Sequence, residues 1–180
     1  PIVVLGFLLQ SLIRDQFRSL WIVAFTLIIF GVILGLADIF GKRAKQLVDL
    51  NTRDGVVYGF AQALALIPGV SRSGGTITAG RLMGYSRKAA ADYSFMLAIP
   101  AVLGSGFYKL LTDGLAGDSP VSMPLTLLAT AVAFVSGYVV ILWFLRLIQT
   151  RSFAPFVIYR LILAALIVVL VLTGVLNALP

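Results

Sequence analysis

The sequence contains no cysteine, no histidine and no glutamate, and its seven acidic residues are all aspartates. The lack of cysteine excludes disulfides and thiolate metal sites. The lack of histidine removes the commonest general base and the commonest metal ligand. Charge is also scarce, since 12% of the residues are charged, against about a quarter in a soluble domain. With a mean hydropathy of +1.04, this composition places the chain among integral membrane proteins.

Long apolar runs fill most of the chain. A helix of about 20 residues crosses the hydrocarbon core of a bilayer, and four runs reach that length: 20–40, 89–111, 122–147 and 154–178. The opening run 1–13 is too short to cross and lacks the features of a signal peptide. We therefore expect an all-α integral membrane protein, a multi-span helical bundle forming a single membrane domain over 1–180. Because the chain begins at Pro1 inside an apolar run, we expect it to be the N-terminally truncated remainder of a longer protein.

Residues 56–84 form an interrupted apolar segment. The apolar pieces before Pro68 and after Gly75 are each too short to cross a bilayer, so the segment is either one broken span or a re-entrant hairpin. The stretches on either side favour the hairpin, because both are basic and basic loops stay in the cytoplasm. Their cations are Lys42, Arg43, Lys45 and Arg53 before the segment and Arg81, Arg87 and Lys88 after it. The sparsely basic loop 112–121, with Asp113 and Asp118, then lies outside. We predict a re-entrant hairpin with its tip near mid-membrane and the C-terminus outside.

The tip of this hairpin reads PGVSRSGGT over 68–76. Irregular backbone at membrane depth needs burial in protein or a water-filled cavity, and an arginine there normally faces a partner. Capping of the second half-helix by Ser73 or Thr76 would leave free N–H groups and a positive dipole end in the cavity. Arg72 adds a planar guanidinium that matches phosphate oxygens. The pattern predicts an anion site, with phosphate as the best-matched anion.

Several other residues carry weaker signals. Asp92 follows Lys88 at a helical i,i+4 spacing, which predicts an ion pair. We expect Asp54 to belong to a solvated loop and Arg160 to anchor the membrane interface. Small residues of the third long run favour close helix packing; they are Ala129, Ala133, Ser136 and Gly137.

Two stretches resemble the undecaprenyl-diphosphate phosphatases, the bacitracin-resistance family. The stretch 65–106, ALIPGVSRSGGTITAGRLMGYSRKAAADYSFMLAIPAVLGSG, is similar to that family's second signature region. The stretch 152–165, SFAPFVIYRLILAA, resembles its last span. The similarity covers essentially the whole chain, which corresponds to roughly the C-terminal two thirds of the family's length.

The resemblance implies a bacterial inner-membrane enzyme that removes the terminal phosphate from a long polyprenyl diphosphate, in a cavity open to the periplasm. This reaction regenerates the lipid carrier of cell-wall synthesis. Positions Ser71, Arg72 and Thr76 match the phosphate-handling residues of the signature. We expect phosphate contacts also from four neighbouring positions: Gly69, Ser73, Gly74 and Gly75. The resemblance also implies a divalent cation, Mg²⁺ or Ca²⁺, as cofactor. The implied partners are a polyprenyl diphosphate lipid and the membrane, with no nucleic acid. A homo-oligomer is compatible with these partners.

The family's first signature, paired glutamates followed by Pro-x-Ser-Ser-x-x-His, is absent, since the chain has neither residue type. We therefore expect the metal ligands and the group that activates a nucleophile to lie outside this chain, which then holds half of a site. Either Ser71 or water could be the nucleophile. Two alternatives remain: a polyprenyl-phosphate transporter or flippase, since broken helices are also transporter architecture, and an inactive fragment that binds lipid diphosphate.

Overall fold

A computed structural model describes residues 1–9, 17, 19–111 and 122–179. The predicted loop 112–121 lies outside these residues. Seven α-helices occur in the described part of the chain, in this order: α1 (Ile2–Leu8), α2 (Leu20–Phe40), α3 (Thr52–Ala63), α4 (Arg72–Leu82), α5 (Arg87–Lys109), α6 (Met123–Thr150) and α7 (Ala154–Leu172). Short 3-10 turns cover Leu47–Asp49 and Leu64–Leu66. The described residues contain no β-strand, and the all-α prediction is confirmed.

Four of these helices are long and apolar enough to cross a membrane, by length and composition. They are α2, α5, α6 and α7, and they correspond to the four predicted spans. Their ends are marked by local chemistry: Ser19 caps α2 by accepting from the Trp21 N–H, and Ser86 caps α5 by accepting from the Ala89 N–H. Such hydroxyls satisfy donors that a helix start leaves unpaired.

Helices α3 and α4 pack side by side and run in opposite directions. Gly75 of α4 approaches α3 so closely that an added Cβ would lie 3.1 Å from the Ala61 carbonyl oxygen. The far ends also meet, because the Lys45 N–H donates to the Gly84 carbonyl and the Ser86 N–H donates to the Lys45 carbonyl. The segment is thus a helical hairpin whose two ends lie together, which we call the base. That this hairpin enters and leaves a membrane on one side stays a prediction.

The base is held by ionic contacts that the sequence did not reveal. Asp38, at the end of α2, accepts two hydrogen bonds from the Arg87 guanidinium, at 2.6 and 2.9 Å. The same carboxylate lies 3.5 Å from Arg81 Nε and accepts from the Phe153 N–H at 3.0 Å. Arg81 is fully buried. One carboxylate therefore ties together the ends of α2 and α4 and the starts of α5 and α7.

Asp54 corrects the expectation of a solvated loop residue. It lies in the first turn of α3 and is 7% exposed. Its carboxylate accepts from the Tyr85 hydroxyl at 2.6 Å and from the Lys45 ammonium at 2.9 Å. These charge-assisted bonds, the one from Tyr85 first, hold the pKa of Asp54 below its ordinary value. The predicted pair of Lys88 and Asp92 is confirmed, with 2.6 Å between nitrogen and oxygen.

Helix α6 differs from the other long helices because nearly all of its surface faces outwards. Of its described residues, Ile148 alone is buried. An added Cβ at Gly137 would meet nothing within 4 Å. None of the small residues predicted to allow close packing is buried among the described residues, and close packing at these positions stays a prediction; they are Ala129, Ala133, Ser136 and Gly137.

Candidate active site

The tip of the hairpin is the connection between α3 and α4, residues 64–71. Two of its residues have positive φ: Gly69, at 90°, and Ser71, at 68°. Positive φ is unfavourable for a residue with a Cβ, so Ser71 is held in a strained conformation by its surroundings. Strain of this kind is concentrated at functional sites.

Helix α2 supports the tip from one side. The Thr26 hydroxyl donates to the Pro68 carbonyl at 2.7 Å. At Gly69 the backbone lies so close to α2 that an added Cβ would clash with the Thr26 hydroxyl and the Val23 carbonyl. Glycine is therefore required here for its φ and for close approach.

Ser71 caps helix α4, and this corrects the predicted caps at Ser73 and Thr76. The helix starts at Arg72, and Ser71 Oγ accepts from the Gly74 N–H at 3.2 Å. The cap lies earlier than predicted because the positive φ of Ser71 turns the chain directly into the helix. Ser73 then occupies the second helical position. Its hydroxyl makes no hydrogen bond with another described residue.

Arg160 of α7 is the residue that sequence reasoning placed wrongly. It is 7% exposed and donates to the carbonyls of Gly69, at 2.7 Å, and Val70, at 3.0 Å. A longer contact of 3.5 Å joins its Nε to the Leu27 carbonyl. The expectation of an interface anchor fails because the side chain points into the bundle and binds the tip. One feature of the sequence could have predicted a buried partner for Arg160. It lies seven residues into an apolar run, where a charge needs a partner.

A cavity of about 570 Å³ lies against the tip and has two kinds of wall. Its polar end contains five residues of the tip, of α4 and of α7: Gly69, Ser71, Ser73, Gly74 and Arg160. Its other walls are apolar and rich in aromatic rings, including Phe95, Trp143, Phe144, Phe153 and Phe156. A space of this size with a few converging polar groups is typical of a small-molecule site. We call it the tip cavity.

The remaining predicted site residues lie elsewhere. Arg72 lines a second cavity of about 740 Å³ between α5 and α6, together with Asp92. Its guanidinium makes no hydrogen bond or ion pair with another described residue. Phe95 and Ile141 line both cavities and so form the wall between them. Arg72 therefore joins the tip cavity only if its side chain turns around this wall.

Thr76 and Gly75 are buried between helices. The Thr76 hydroxyl lies 2.5 Å from the Ser94 hydroxyl of α5 and donates back to the carbonyls of its own helix. Gly75 allows α3 and α4 to approach each other. The structure does not bring either residue to the tip cavity, and their predicted phosphate contacts stay predictions.

The described residues that line the tip cavity include no carboxylate. Asp38 and Asp54 are engaged at the base, by Arg87 and Lys45. Among the described residues, no group of three potential metal ligands comes together. The donor set of the cavity, hydroxyls and a guanidinium, does not fit a divalent cation, which prefers carboxylate and carbonyl oxygens. We derive no step through a metal.

Four apolar membrane-length helices and a cavity with a cationic, hydroxyl-rich end define a multi-pass membrane protein with a polar site between its helices. Comparison with known families identifies it further: residues 1–166 match the family described as bacitracin resistance protein BacA. The chain belongs to this family.

Curated relatives share this assignment. The undecaprenyl-diphosphatase of Micrococcus luteus is 58% identical over 181 residues, covering 99% of this chain and 65% of the relative. That of Paenarthrobacter aurescens is 56% identical over 182 residues, with the same two coverages. That of Thermobifida fusca is 52% identical over 177 residues, covering 98% of this chain and 60% of the relative. The chain thus spans less than two thirds of the length of these relatives. These matches do not bear out the prediction that it corresponds to their C-terminal two thirds.

Proposed function

We propose that this chain carries the phosphate-binding part of an undecaprenyl-diphosphate phosphatase, which hydrolyses a long polyprenyl diphosphate to the monophosphate and phosphate. The observation that carries the proposal is the division of the tip cavity into a cationic, hydroxyl-rich end and an aromatic wall. A prenyl diphosphate is divided in the same way, into a phosphate head and an apolar tail. The head would lie against the tip, and the first isoprene units against the rings.

Charge stabilisation is the chemistry that this end of the cavity supports. Phosphoryl transfer is catalysed mainly by positioning and by neutralising charge on the phosphate oxygens. The Ser71 hydroxyl keeps its proton free for donation while its oxygen accepts from Gly74. Ser73 offers a second hydroxyl, and the N–H groups at the start of α4 carry the positive end of the helix dipole. Arg72 would add its charge after a rotation of its side chain towards the tip cavity.

Activation of the attacking nucleophile would come from outside this chain, together with a divalent cation and its carboxylate ligands. The described residues that line the cavity include no carboxylate or imidazole; their polar side chains are those of Ser71, Ser73, Tyr159 and Arg160. The site would open to the outer side of a bacterial inner membrane, with the hairpin base on the cytoplasmic side.

Phosphate release from a long-chain polyprenyl diphosphate tests the reaction. The purified chain in detergent would be assayed alone and after co-expression with the part of the Micrococcus luteus relative that the match does not cover. We expect release only from the combination, and a loss of about 100-fold or more for Arg72→Gln, because it removes a bidentate phosphate contact. Arg146→Gln changes the same charge on the exposed part of α6 and serves as the control. A combination that binds the diphosphate without releasing phosphate would overturn hydrolysis and favour transport or simple binding.

Cysteine labelling tests the proposed orientation. Arg53→Cys and Lys88→Cys lie in exposed positions before and after the hairpin, and an impermeant thiol reagent would be applied to intact cells and to inverted vesicles. We expect both cysteines to react from the cytoplasmic side only. Reaction of the two from opposite sides would show that residues 56–84 cross the membrane.

A further inference from the structure

Arg160 has an unusual set of partners for a buried arginine. All three of its acceptors are backbone carbonyls, of Gly69, Val70 and Leu27. No carboxylate of the described residues forms an ion pair with it. A guanidinium has five N–H groups, so three contacts leave two without an acceptor.

The surroundings increase the positive charge instead of balancing it. An added Cβ at Gly74 would lie 3.1 Å from Arg160 Nη1, which places the guanidinium against the first turn of α4. The start of a helix carries partial positive charge, and a cation there is unfavourable. A buried charge normally has a counter-charge, because desolvation is costly. Two positive groups thus meet at one end of a cavity, and within the described residues nothing neutralises them.

We propose that Arg160 binds the diphosphate directly, through the guanidinium N–H groups that its carbonyl contacts leave free. The side chain lines the tip cavity beside Ser71 and Ser73, so an anion in contact with both hydroxyls would also reach the guanidinium. This inference rests on the proposed function. It adds to the motif arginine a second cation, about 90 residues away in the sequence, at the same phosphate.

The same geometry couples anion binding to the shape of the tip. Because Arg160 already holds the carbonyls of Gly69 and Val70, it fixes the two residues that precede Ser71. The guanidinium and the tip thus hold each other in place. A phosphate bound to the remaining N–H groups would therefore also stabilise this conformation of the tip. Lysine cannot replace this arrangement, since a single ammonium lacks the planar fork that reaches two carbonyls and an anion together.

Binding measurements on the purified chain in detergent test the proposal without requiring turnover. Trp143 lines the tip cavity, so its fluorescence would report on occupation once Trp21 has been replaced by phenylalanine. Three probes separate the anion from the tail. Inorganic pyrophosphate has the anion only, farnesol has the prenyl tail only, and farnesyl diphosphate has both. The variants are Arg160→Gln and Arg160→Lys, with Arg146→Gln as the exposed-arginine control.

We expect Arg160→Gln to weaken pyrophosphate and farnesyl diphosphate binding about 10- to 100-fold, and to leave farnesol binding within about twofold. Arg160→Lys should show a smaller loss that is again specific to the two anions. Equal losses for all three probes would mean that Arg160 only holds the fold, and unchanged binding would mean that it has no role at the anion; either result overturns the proposal.

A variant that leaves Arg160 in place guards against misfolding of the substituted proteins. Arg72→Gln should keep measurable pyrophosphate binding that weakens with added salt, because one cation remains. Complete loss of pyrophosphate binding in Arg72→Gln, or no binding by the wild-type chain, would contradict the proposal. Anion binding through Arg160 with no phosphate release in the complemented enzyme would instead overturn the proposed function alone.

Discussion

Two arginines of the described residues are buried, and their surroundings differ. Arg81, at the base of the hairpin, is fully buried and has both a carboxylate, that of Asp38, and several carbonyls around it. Arg160, at the tip, is 7% exposed and contacts carbonyls only. The charge of Arg81 is balanced by the Asp38 carboxylate, whereas no carboxylate among the described residues forms an ion pair with Arg160.

This difference indicates a structural role for Arg81 and a ligand-binding role for Arg160. A paired, hydrogen-bonded charge in an apolar interior keeps elements together and offers nothing to a ligand. An unpaired charge beside a cavity keeps the capacity to bind an anion. The base and the tip of one hairpin should therefore respond differently to substitution: changes at the base should cost stability, and changes at the tip should cost affinity.

The largest effect is expected at the carboxylate of the base. Asp38→Asn would leave the guanidinium groups of Arg81 and Arg87 without a counter-charge, and breaking a buried pair in this way costs about 3–5 kcal/mol. Thermal or denaturant unfolding in detergent, followed by circular dichroism, measures the loss. Asp49→Asn changes an exposed aspartate and should cost less than about 1 kcal/mol. A loss at Asp38 no greater than that of the control would mean that the base does not depend on this charge balance.

Gly69→Ala should come next, because it affects both stability and the site. Alanine at positive φ costs about 1–2 kcal/mol, and the contact of its Cβ with Thr26 and Val23 adds about 1–3 kcal/mol. We expect the free energy of unfolding to fall by about 2–5 kcal/mol and pyrophosphate binding to weaken with it. Gly137→Ala on the open face of α6 should instead be neutral or slightly stabilising. Wild-type stability in Gly69→Ala would contradict the close approach of the tip to α2.

Tyr85→Phe tests the second carboxylate of the base. It removes the hydrogen bond to Asp54, which should cost about 1.5–3 kcal/mol at neutral pH. Because the folded pKa of Asp54 lies below its ordinary value of 3.8, its contribution is complete above that pH and is lost as the pH falls through the folded pKa.

The variant should raise the folded pKa of Asp54 towards its ordinary value. Stability should start to fall at the same pH in both proteins, but the fall should be smaller in the variant, so the two curves should converge in acid. Unfolding curves between neutral pH and about pH 3 measure this. A difference that stays constant over the whole range would show that the hydrogen bond does not act through the ionised carboxylate.

Thr76→Val should have the smallest effect. It decides whether Thr76 binds phosphate, as the motif predicts, or only joins helices, as its contacts indicate. Since the Thr76 hydroxyl contacts Ser94 and its own helix, its loss should cost about 1–2 kcal/mol of stability and leave pyrophosphate affinity within about twofold. Ser73→Ala should show the opposite pattern, with little change in stability and weaker anion binding. A large loss of affinity in Thr76→Val at unchanged stability would restore the role that the motif predicts for it.

Periodicity and length were enough to predict the long helices and the interrupted segment, because apolar runs and prolines act locally. The motif also led to Ser71, Ser73 and Gly74, which line one cavity. Side-chain direction could not be predicted in this way. Arg72 and Thr76 follow Ser71 on a helix and share a face of it, and that face is directed away from the cavity that Ser71 lines.

Long-range partners were the other feature hidden from the sequence. Arg160 and Gly69 are joined only by folding, and so are Asp38 and Phe153. Tyr159–Arg160 at first suggested an interface anchor, because such pairs are frequent at membrane surfaces. The position of Arg160, about two turns inside α7, was the evidence against that interpretation.

Photo-crosslinking tests most directly the central claim, that the tip cavity binds a prenyl diphosphate. A farnesyl diphosphate analogue with a diazirine in its first isoprene unit would be irradiated with the purified chain, and the labelled peptides would be mapped by mass spectrometry. We expect labels on the aromatic wall, at Trp143, Phe144 or Phe156, and their loss on addition of excess pyrophosphate. Labels confined to the second cavity, at Met96, Ile99 or Phe134, would contradict it.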